Sequence, residues 1–407
     1  MKIAMVSEHA SPLARLGGAD AGGQNVHVAE LSSALGAAGH EVVVYTRRAD
    51  PDQPRRRPLR PGVTVEHVTA GPVGPLPRDE LYRHMGEFAD NLRSSWRAAE
   101  PDVVHAHFWM SGLAALRAAP PGMPVAQTFH ALGVVKQRHQ GDQDTSPPER
   151  IEAELDIANE VDRVVATCSD EVFELVRQGV SRRRISIVPS GVDVEALHSD
   201  EVPPPKGAGH RLVVLGRLVP RKGIDDVIRA LPQVADTELI VAGGPPAEKL
   251  ADDPNGRRLR ALAERCGVAD RVRLVGGVQR DTIRSLLVSA DAVVCVPWYE
   301  PFGIVPLEAM ACGVPVVASA VGGLTDTVVH GVTGLHVPPR DPAALAAVLR
   351  ELLADPGLGV AFGVAGRKRA VARYSWPRVA TDTMRIYQRM CDRSVRRSPV
   401  TTAAGGT

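Results

Sequence analysis

Two glutamates eight positions apart carry the strongest chemical signal in the chain. Glu300 and Glu308 lie in the segment WYEPFGIVPLEAMACG, residues 298–313. Glu300 follows an apolar strand pattern at 291–296, whereas Glu308 lies on an apolar helical pattern, where an unpaired carboxylate is costly to bury. Carboxylate oxygens accept hydrogen bonds from vicinal hydroxyls. The pair therefore indicates a ligand rich in hydroxyl groups, and for Glu308 taken alone an internal salt bridge is the alternative.

Two cations occupy a similar position in another segment. Arg217 and Lys222 stand in GRLVPRKG, residues 216–223, directly after the strand pattern at 212–215. Cations at such a strand end can neutralise a diphosphate leaving group. The alternative, a solvated turn without a ligand, applies better to Arg221 than to Arg217 and Lys222. The segment predicts an anion site in the second half of the chain.

Two segments of the first half also follow strand patterns. Four glycines, at positions 17, 18, 22 and 23, separate the first strand pattern from the first helical one. There the backbone can approach a ligand and the helix N-terminus can face an anion, and a merely flexible connection is the alternative. His130 follows the strand pattern at 125–129, where an imidazole can touch substrate, although a lone histidine is more often structural.

Motifs of several other enzyme classes are missing from the sequence. There is no G-x-G-x-x-G after a strand pattern, no P-loop and no G-x-S-x-G. This argues against a nicotinamide dehydrogenase, a P-loop NTPase and an α/β-hydrolase. Asp142 and Asp144 have the spacing of a metal-binding D-x-D but lie in a polar loop, and His105 and His107 lack a third ligand. We expect no metal site.

Short β-branched runs alternate with helical patterns along the whole chain, which predicts parallel, doubly wound α/β sheets. The run EVPPPKGAGH at 201–210 interrupts the alternation and is typical of a linker. We therefore expect two domains across a cleft, with ligands at the carboxyl ends of the strands. The Pro/Arg run at 50–62 is expected to be a loop in which the triple arginine forms a solvated turn, with nucleic-acid binding as the less favoured alternative. Strands are predicted at 2–6, 41–46, 63–68, 102–106, 125–129, 164–167, 185–188, 212–215, 239–242, 272–275, 292–296 and 314–318.

Length and composition fit two globular domains. The chain has 407 residues, of which 44% are hydrophobic and 23% charged. Its formal net charge of +1 gives no overall attraction to nucleic acid. Residues 1–200 carry 21 Lys and Arg against 27 Asp and Glu, whereas residues 201–407 carry 27 against 20. An anionic ligand is thus expected on the second half, and uneven surface charge is an equal alternative.

Cysteine usage and hydropathy indicate in which cellular compartment the protein is expected. Five cysteines stand far apart without a Cys-x-x-Cys motif, which favours reduced thiols in a cytoplasmic protein. The N-terminal apolar run is too short for a signal peptide. The apolar stretch at 304–324 contains Glu308 and two prolines, so it predicts a buried helix followed by a buried strand instead of a transmembrane segment.

Further motifs complete a recognisable pattern: HFWMSG at 107–112, HALGVVK at 130–136, PSGVD at 189–193 and YSWPRVATDTMRIY at 374–387. With these motifs the chain resembles the retaining GT-B glycosyltransferases of family 4, which carry two glutamates separated by seven residues. Within that family it is most similar to the sucrose-phosphate synthase and D-inositol-3-phosphate glycosyltransferase subgroup. The resemblance covers nearly the whole chain. It implies a Rossmann-like acceptor domain at 1–200, a linker at 201–210, a Rossmann-like donor domain at 211–375, a helix at 376–392 that crosses back to the first domain, and a frayed tail at 393–407.

The resemblance also implies roles for individual residues. The second domain would bind a nucleotide-diphosphate sugar, and cations with a helix N-terminus would stabilise the departing diphosphate. The family is thought to react with retention through an oxocarbenium-like state, without a protein nucleophile. The implied catalytic residues are His130, Arg217, Lys222 and Glu300. The implied donor-binding residues are Gly22, Gly23, Arg217, Lys222, Arg273, Gly276, Val278, Glu300, Phe302, Gly303, Ile304, Val305 and Glu308.

The implied acceptor-binding residues are Asn25, Arg78, Phe108, Ala131 and Arg150. Asn25 matches the inositol-phosphate enzymes, and the two arginines are candidate cations for a phosphate. Phe108 replaces a tyrosine of those enzymes and Ala131 a threonine, so two hydroxyl contacts to an acceptor phosphate are missing. The resemblance therefore leaves the acceptor open among sugars, cyclitols and their phosphates.

The expected activity is transfer of a hexosyl group, of the glucose or N-acetylglucosamine type, from a UDP-linked donor to a small polar acceptor without a cofactor. One alternative is a nucleotide-sugar epimerase on the same fold, which would need no acceptor. Another is a non-catalytic nucleotide-sugar-binding protein. The net negative charge of residues 1–200 disfavours binding of this domain to anionic lipid. We expect no nucleic-acid partner, and the oligomeric state stays open, with a homodimer as one option.

Overall fold

Two β-sheets organise the chain in the computed structural model, which describes residues 1–14, 22–198 and 209–397. The first sheet contains β1 (Lys2–Val6), β2 (Glu41–Arg47), β3 (Arg56–Arg60), β4 (Val63–Val68), β5 (Val103–His107), β6 (Val125–Thr128), β7 (Arg163–Ala166) and β8 (Ile185–Ile187). The second contains β9 (His210–Leu215), β10 (Thr237–Ala242), β11 (Val272–Gly276), β12 (Ala292–Cys295), β13 (Val316–Ser319) and β14 (Gly334–Val337).

The helices alternate with these strands. The first domain contains α1 (Gly23–Ala37), α2 (Met85–Ala98), α3 (Trp109–Ala118), α4 (Gly133–Gln140), α5 (Arg150–Glu160) and α6 (Ser169–Arg177). The rest are α7 (Ile224–Ala230), α8 (Pro254–Arg265), α9 (Arg280–Val288), α10 (Ile304–Ala311), α11 (Leu324–Thr327), α12 (Pro342–Ala354), α13 (Pro356–Tyr374) and α14 (Trp376–Arg397).

The strand order is that of two doubly wound sheets. It is β3-β4-β2-β1-β5-β6-β7-β8 in the first sheet and β11-β10-β9-β12-β13-β14 in the second. Among the described strands every pairing is parallel except that of β3 with β4. The predicted α/β architecture is therefore confirmed.

Each sheet has a hydrophobic core on both faces, which explains why its strands are almost continuously apolar. Because side chains alternate along a strand, Ala4 and Val6 of β1 enter one core of the first domain, while Ile3 and Met5 enter the other. Helices cover both faces. This arrangement leaves the ends of the strands as the open edges of each sheet.

The Pro/Arg run at 50–62 is not the solvated turn that the sequence predicted. Residues Arg56–Arg60 form β3, an edge strand antiparallel to β4. The buried carboxylate of Glu66 stabilises it, because Arg55 and Arg56 form ion pairs with Glu66 at 3.2 and 2.7 Å. The strand accommodates Pro58 since one of its edges has no further strand partner.

Two predicted boundaries also need correction. Most of the linker at 201–210 lies outside the described residues, but His210 already belongs to β9, where its N–H donates to the carbonyl of Asp236 at 2.7 Å. The crossing helix continues to Arg397, so residues 393–397 of the predicted tail are helical. Ser394 anchors this end by donating from Oγ to the carbonyl of Gly122 at 2.5 Å. Residues 398–407 lie outside the described part.

The C-terminal helix packs on the first domain, as the resemblance implied. Trp376, Val379 and Tyr387 of α14 belong to the same core as α1 and one face of the first sheet. The hydroxyl of Tyr387 lies 2.7 Å from Nδ1 of His105 in β5. This helix therefore connects the second domain to a strand that leads into the cleft.

The two domains also touch beside the cleft. Ser169, the first residue of α6, donates from N and Oγ to the carboxylate of Asp326 at 2.6 and 2.5 Å. The ring of Tyr299 stacks on that of His139 with 5.0 Å between centroids. These contacts hold the carboxyl ends of the two sheets opposite each other.

The apolar stretch at 304–324 forms α10 and β13, so the predicted buried helix and strand are confirmed. Within the described ranges, no helix combines the length and apolarity needed to cross a bilayer.

Candidate active site

A tight ion pair lies at the carboxyl end of the second sheet. Lys222 follows β9 and Glu300 follows the neighbouring strand β12. Their Nζ and Oε2 atoms are 2.5 Å apart, and each side chain is about four-fifths buried, with 20% and 17% exposed. The structure thus brings together two residues that the sequence placed 78 positions apart.

The close approach of two backbone loops positions this pair. Gly223 has a φ of +70°, and a β-carbon there would lie 1.9 Å from the carbonyl oxygen of Val296. Nearby, the N–H of Trp298 donates to the carbonyl of Arg221 at 2.9 Å. Glycine alone permits both the conformation and the contact. The loop after β9 is therefore held against the loop after β12.

Arg217 extends the positive charge toward the first domain. Partial burial lowers the pKa of its guanidinium, Arg221 and Arg78 lower it further, and Glu300 raises it. Because Arg78 belongs to the first domain, positive charge from both domains acts on this guanidinium.

Helix α10 begins at the same edge. Gly303 starts it with a φ of +92°, where a β-carbon would lie 2.4 Å from Cδ2 of Leu324. A β-carbon on Gly23, the first residue of α1, would lie 3.2 Å from Cδ1 of Ile304. The N-termini of two helices, one from each domain, thus converge on the cleft, where partial positive charge favours an anion.

Other predicted donor residues support this helix start. Phe302 is buried and packs near Tyr374, with 6.4 Å between ring centroids. The carbonyl of Glu300 accepts a hydrogen bond from N–H of Gly323 at 3.0 Å. Val305 lies in the first turn of α10. These contacts therefore fix the segment 300–305 in one position.

Glu308 lines a cavity of about 220 Å³ between the domains. Arg284 of α9, Asp193 and Trp376 also line it, and Val26 of α1 closes it from the first domain. Burial raises the pKa of the neighbouring Cys312 thiol to about 12, and the charge of Glu308 raises it in the same direction. The cavity is thus lined by two carboxylates and one guanidinium, and its volume suits a polar ligand of moderate size.

His130 lies at the cleft, after β6, with a φ of +63°. This conformation is uncommon for a residue other than glycine and is enriched at functional sites. Its Nε2 atom is 3.0 Å from Nδ1 of His107, at the end of β5. The ring of His27 lies 5.0 Å away, edge-on.

Burial makes this histidine cluster neutral. It lowers the pKa of His27 to about 4 and that of His105 to about 3, and it holds the pKa values of His107 and His130 well below the ordinary 6.5. Neighbouring imidazoles lower three of these values further. These side chains therefore act as hydrogen-bonding groups near neutral pH.

Two of the predicted acceptor residues, Arg78 and Arg150, lie over the ring of a third, Phe108. Phe108 follows β5 with a φ of +81°. The guanidinium carbons of Arg78 and Arg150 lie 5.6 and 5.0 Å from its ring centroid. The carbonyl of Ala131 accepts a hydrogen bond from Arg150 at 2.7 Å. Asn25 caps α1 instead, since its Oδ1 accepts from N–H of Gly22 at 3.0 Å.

Arg78, Arg150 and Lys136, the last of which shares the hydroxyl of Ser146 with Arg150, each have a carboxylate partner. Arg150 is 97% buried at its side chain and pairs with Glu154 at 2.8 Å. The other two pairs are Lys136 with Asp144 at 2.8 Å and Arg78 with Asp79 at 3.4 Å. The positive charge that the sequence suggested for an acceptor phosphate is thus largely neutralised.

The sequence analysis missed three residues of this region. Glu8 and His9 follow β1, and His9 lies 2.6 Å from a carboxylate oxygen of Glu8 and edge-on to Phe108, with centroids 4.8 Å apart. Lys136 is the third. The rule that selected His130, a polar residue just after a strand, would have found the first two.

Some predicted residues lie elsewhere. Arg273 is in the edge strand β11, with its side chain exposed and 3.9 Å from Glu238 near the amino ends of the strands, so the structure does not bring it to the cleft. Gly276 is the last residue of that strand and Val278 follows it, and the carbonyl of Gly276 accepts a hydrogen bond from N–H of Gly243 at 2.7 Å. Predicted residues 17–21 lie outside the described part.

The two metal-like patterns have other partners. Asp144 pairs with Lys136, and His105 lies 2.9 Å from the hydroxyl of Thr128. Over the residues for which positions are described, no three His, Cys, Asp or Glu side chains are grouped to hold a metal ion.

Comparison with known proteins agrees with this geometry. The model of Glycosyltransferase Family 4 matches residues 21–196, and that of Glycosyl transferases group 1 matches residues 200–369. The D-inositol 3-phosphate glycosyltransferase of Kribbella flavida is 36% identical, and the alignment covers 95% of each chain. The enzyme of the same name from Acidothermus cellulolyticus is 35% identical over 95% of this chain and 90% of its own.

Solved structures show the same architecture. Sucrose-phosphate synthase from Thermosynechococcus elongatus superposes with a TM-score of 0.85 at 32% identity, covering 96% of this chain and 99% of its own. Anabaena HepE in complex with UDP-glucose superposes with a TM-score of 0.72 at 20% identity, covering 96% and 100%. The chain belongs to glycosyltransferase family 4 and has the GT-B fold of two Rossmann-like domains, which confirms the resemblance found in the sequence.

Proposed function

We propose that this glycosyltransferase moves a hexosyl group, of the glucose or N-acetylglucosamine type, from a UDP-linked donor to a small polar acceptor with retention of configuration. The ion pair of Lys222 and Glu300 beside Arg217 carries the proposal. Cations neutralise a diphosphate, and a carboxylate accepts hydrogen bonds from sugar hydroxyls. The three groups together suit a sugar linked to a diphosphate.

The interdomain cavity supports a nucleotide site next to this pair. Glu308 is proposed to accept hydrogen bonds from ribose hydroxyls, while Ile304 and Val26 provide apolar walls. The N-terminus of α10 lies between the cavity and Glu300, where it can face the phosphates. HepE, with UDP-glucose in its structure, supports UDP as the nucleotide.

In the proposed reaction the bond from the anomeric carbon to the diphosphate breaks while an acceptor oxygen bonds to the same face of that carbon. The acceptor proton passes to the departing diphosphate. Arg217, Lys222 and the N-terminus of α10 stabilise the charge that develops there. His130 is neutral and so can hydrogen-bond the hexose without supplying charge. The proposal requires neither a protein nucleophile nor a cofactor or metal, and it places the enzyme in the cytoplasm, where its free cysteines stay reduced.

For the acceptor we propose an uncharged sugar or cyclitol. Arg150 has bonds to Glu154, Ser146 and the carbonyl of Ala131, so each of its nitrogens has a partner. The carboxylates that pair with Arg78 and Lys136 reduce the attraction of these cations for an acceptor phosphate. Hydroxyl groups can instead bond to both members of each pair.

Transfer assays test this proposal. UDP-glucose and UDP-N-acetylglucosamine are each incubated with myo-inositol, glucose and fructose and with their monophosphates, and the products are examined by NMR. We expect α-linked products and a kcat/KM at least about 10-fold higher for the uncharged acceptors, because no unpaired cation among the described residues of this region compensates the desolvation of a phosphate. The variant Asp144→Asn should narrow that gap by releasing Lys136.

Other results of these transfer assays would contradict particular parts of the proposal. A β-linked product would contradict retention, and preference for phosphorylated acceptors would contradict the assignment of an uncharged acceptor. Donor conversion to another nucleotide sugar in buffer alone would favour the epimerase. If no donor is consumed under any condition, the proposed activity is wrong.

A further inference from the structure

His130 has two ring nitrogens, and the structure defines the contact of only one. Its Nε2 atom lies 3.0 Å from Nδ1 of His107, so one of these atoms carries a proton and the other accepts it. Among the residues that the structure describes, none forms a hydrogen bond with Nδ1 of His130. This second nitrogen is available to a ligand.

The surroundings of His107 decide the direction of that hydrogen bond. His107 is fully buried, and its Nε2 atom has no hydrogen-bond partner among the described residues. If His130 donated, His107 would carry its proton on this unpartnered Nε2. A buried N–H without a partner is rarer than a buried acceptor without one. The favoured arrangement therefore has the proton of His107 on Nδ1.

We propose that His107 is a positioning residue whose Nδ1–H donates to Nε2 of His130 and thereby keeps the proton of His130 on Nδ1. This arrangement presents an N–H donor to the cleft. The role of that donor rests on the proposed function, in which it bonds to a hydroxyl oxygen of the hexosyl group. The tautomer itself is a property of the protein alone.

The packing around His130 restrains the ring in this orientation. The planes of the His107 and His130 rings differ by 27°, and with 5.2 Å between centroids and 3.0 Å between the bonded nitrogens the two rings meet edge to edge. His27 packs edge-on against His130, and its own Nδ1 is 3.0 Å from Oγ of Ser190. The positive φ of His130 fixes the direction of its Cα–Cβ bond. The ring is thus held from two sides before any substrate binds.

Two substitutions separate this role from simple packing. In His107→Asn the amide N–H₂ can take the place of Nδ1–H, whereas His107→Leu fills space without a donor. We expect kcat to fall about 10- to 100-fold in the leucine variant, as for loss of a well-placed hydrogen bond, and to recover most of that loss in the asparagine variant. UDP affinity, measured by calorimetry, should be unchanged in both.

A double variant tests whether His107 acts through His130. His107→Leu combined with His130→Ala should be no slower than His130→Ala alone, because the positioned group is already absent. Equal losses in the leucine and asparagine variants, or an additive loss in the double variant, would overturn the proposal.

The tautomer can be measured without any transferase activity. In protein labelled with ¹⁵N-histidine, the His130 signals are assigned by their loss in His130→Ala. We expect Nδ1 to be protonated and Nε2 unprotonated at pH 7.5, and the two to exchange freely in His107→Leu. The opposite tautomer in the unsubstituted protein would overturn the proposal. If the tautomer is as expected but no transfer occurs, only the proposed function fails.

Discussion

Replacing Lys222 with alanine should lower kcat by about 100-fold or more, because removal of one preformed group that stabilises developing charge typically has that effect. Lys222 is held in place at the cleft, with its Nζ 2.5 Å from Glu300 and its loop fixed against the next strand. It therefore needs little reorganisation as negative charge appears on the departing diphosphate. Initial rates of transfer from UDP-glucose measure the effect.

Arg221→Ala is the matched control for this substitution. Arg221 belongs to the same loop and carries the same charge, but the structure uses its backbone carbonyl, which the substitution leaves in place. We expect a change in kcat of less than about threefold, as for a surface position. Similar losses in both variants would show that general positive potential, and not the geometry of Lys222, supports catalysis.

Replacing Gly223 with alanine should give the largest loss of stability, about 3 kcal/mol, and should also abolish most activity. A left-handed conformation costs a non-glycine residue about 1–2 kcal/mol, and forcing a methyl group into packed atoms adds about 1–3 kcal/mol. The atom in its way is the carbonyl oxygen of Val296, part of the backbone, so no rotation of a side chain relieves the contact. Scanning calorimetry should show a decrease in the melting temperature of the second domain of about 6–12 °C.

Gly267→Ala separates the cost of the left-handed backbone conformation from the cost of steric overlap with a neighbouring atom. Gly267 has a φ of +67°, almost equal to that of Gly223, but a β-carbon there would have no atom within 4 Å. We expect a loss of about 1 kcal/mol with activity retained. If the two alanine variants were equally stable, the close packing of the loops after β9 and β12 would be wrong.

The fold was largely predictable because its strands are buried on both faces. Continuous apolar runs such as those of β1 and β12 can be recognised as strands without any tertiary information. The strand β3 was not predictable in this way. Its sequence RRPLR is exposed and charged, and it is stabilised by a buried glutamate, Glu66, on the next strand. A pattern within one segment does not reveal such a partner.

The candidate site was predictable where it depends on topology. Residues that follow parallel strands meet at one edge of a sheet, which is why the sequence alone assigns Lys222, Glu300 and His130 to the cleft. Side-chain partners were not predictable. Arg150 was expected to be available to a phosphate, but the structure pairs it with Glu154 one helical turn away. Whether a cation is available to a ligand depends on the distances to neighbouring side chains, which the sequence does not give.

Calorimetric titration with UDP, ADP and GDP tests the central claim, that the cleft binds a nucleotide-diphosphate sugar, most directly. We expect micromolar affinity for UDP, weakened at least about 10-fold in both Glu308→Ala and Lys222→Ala, as for the loss of a charged hydrogen bond. Affinity should be unchanged in Glu264→Ala, which removes an exposed glutamate of α8. Absence of binding by all three nucleotides, or binding that neither site substitution weakens, would contradict the account.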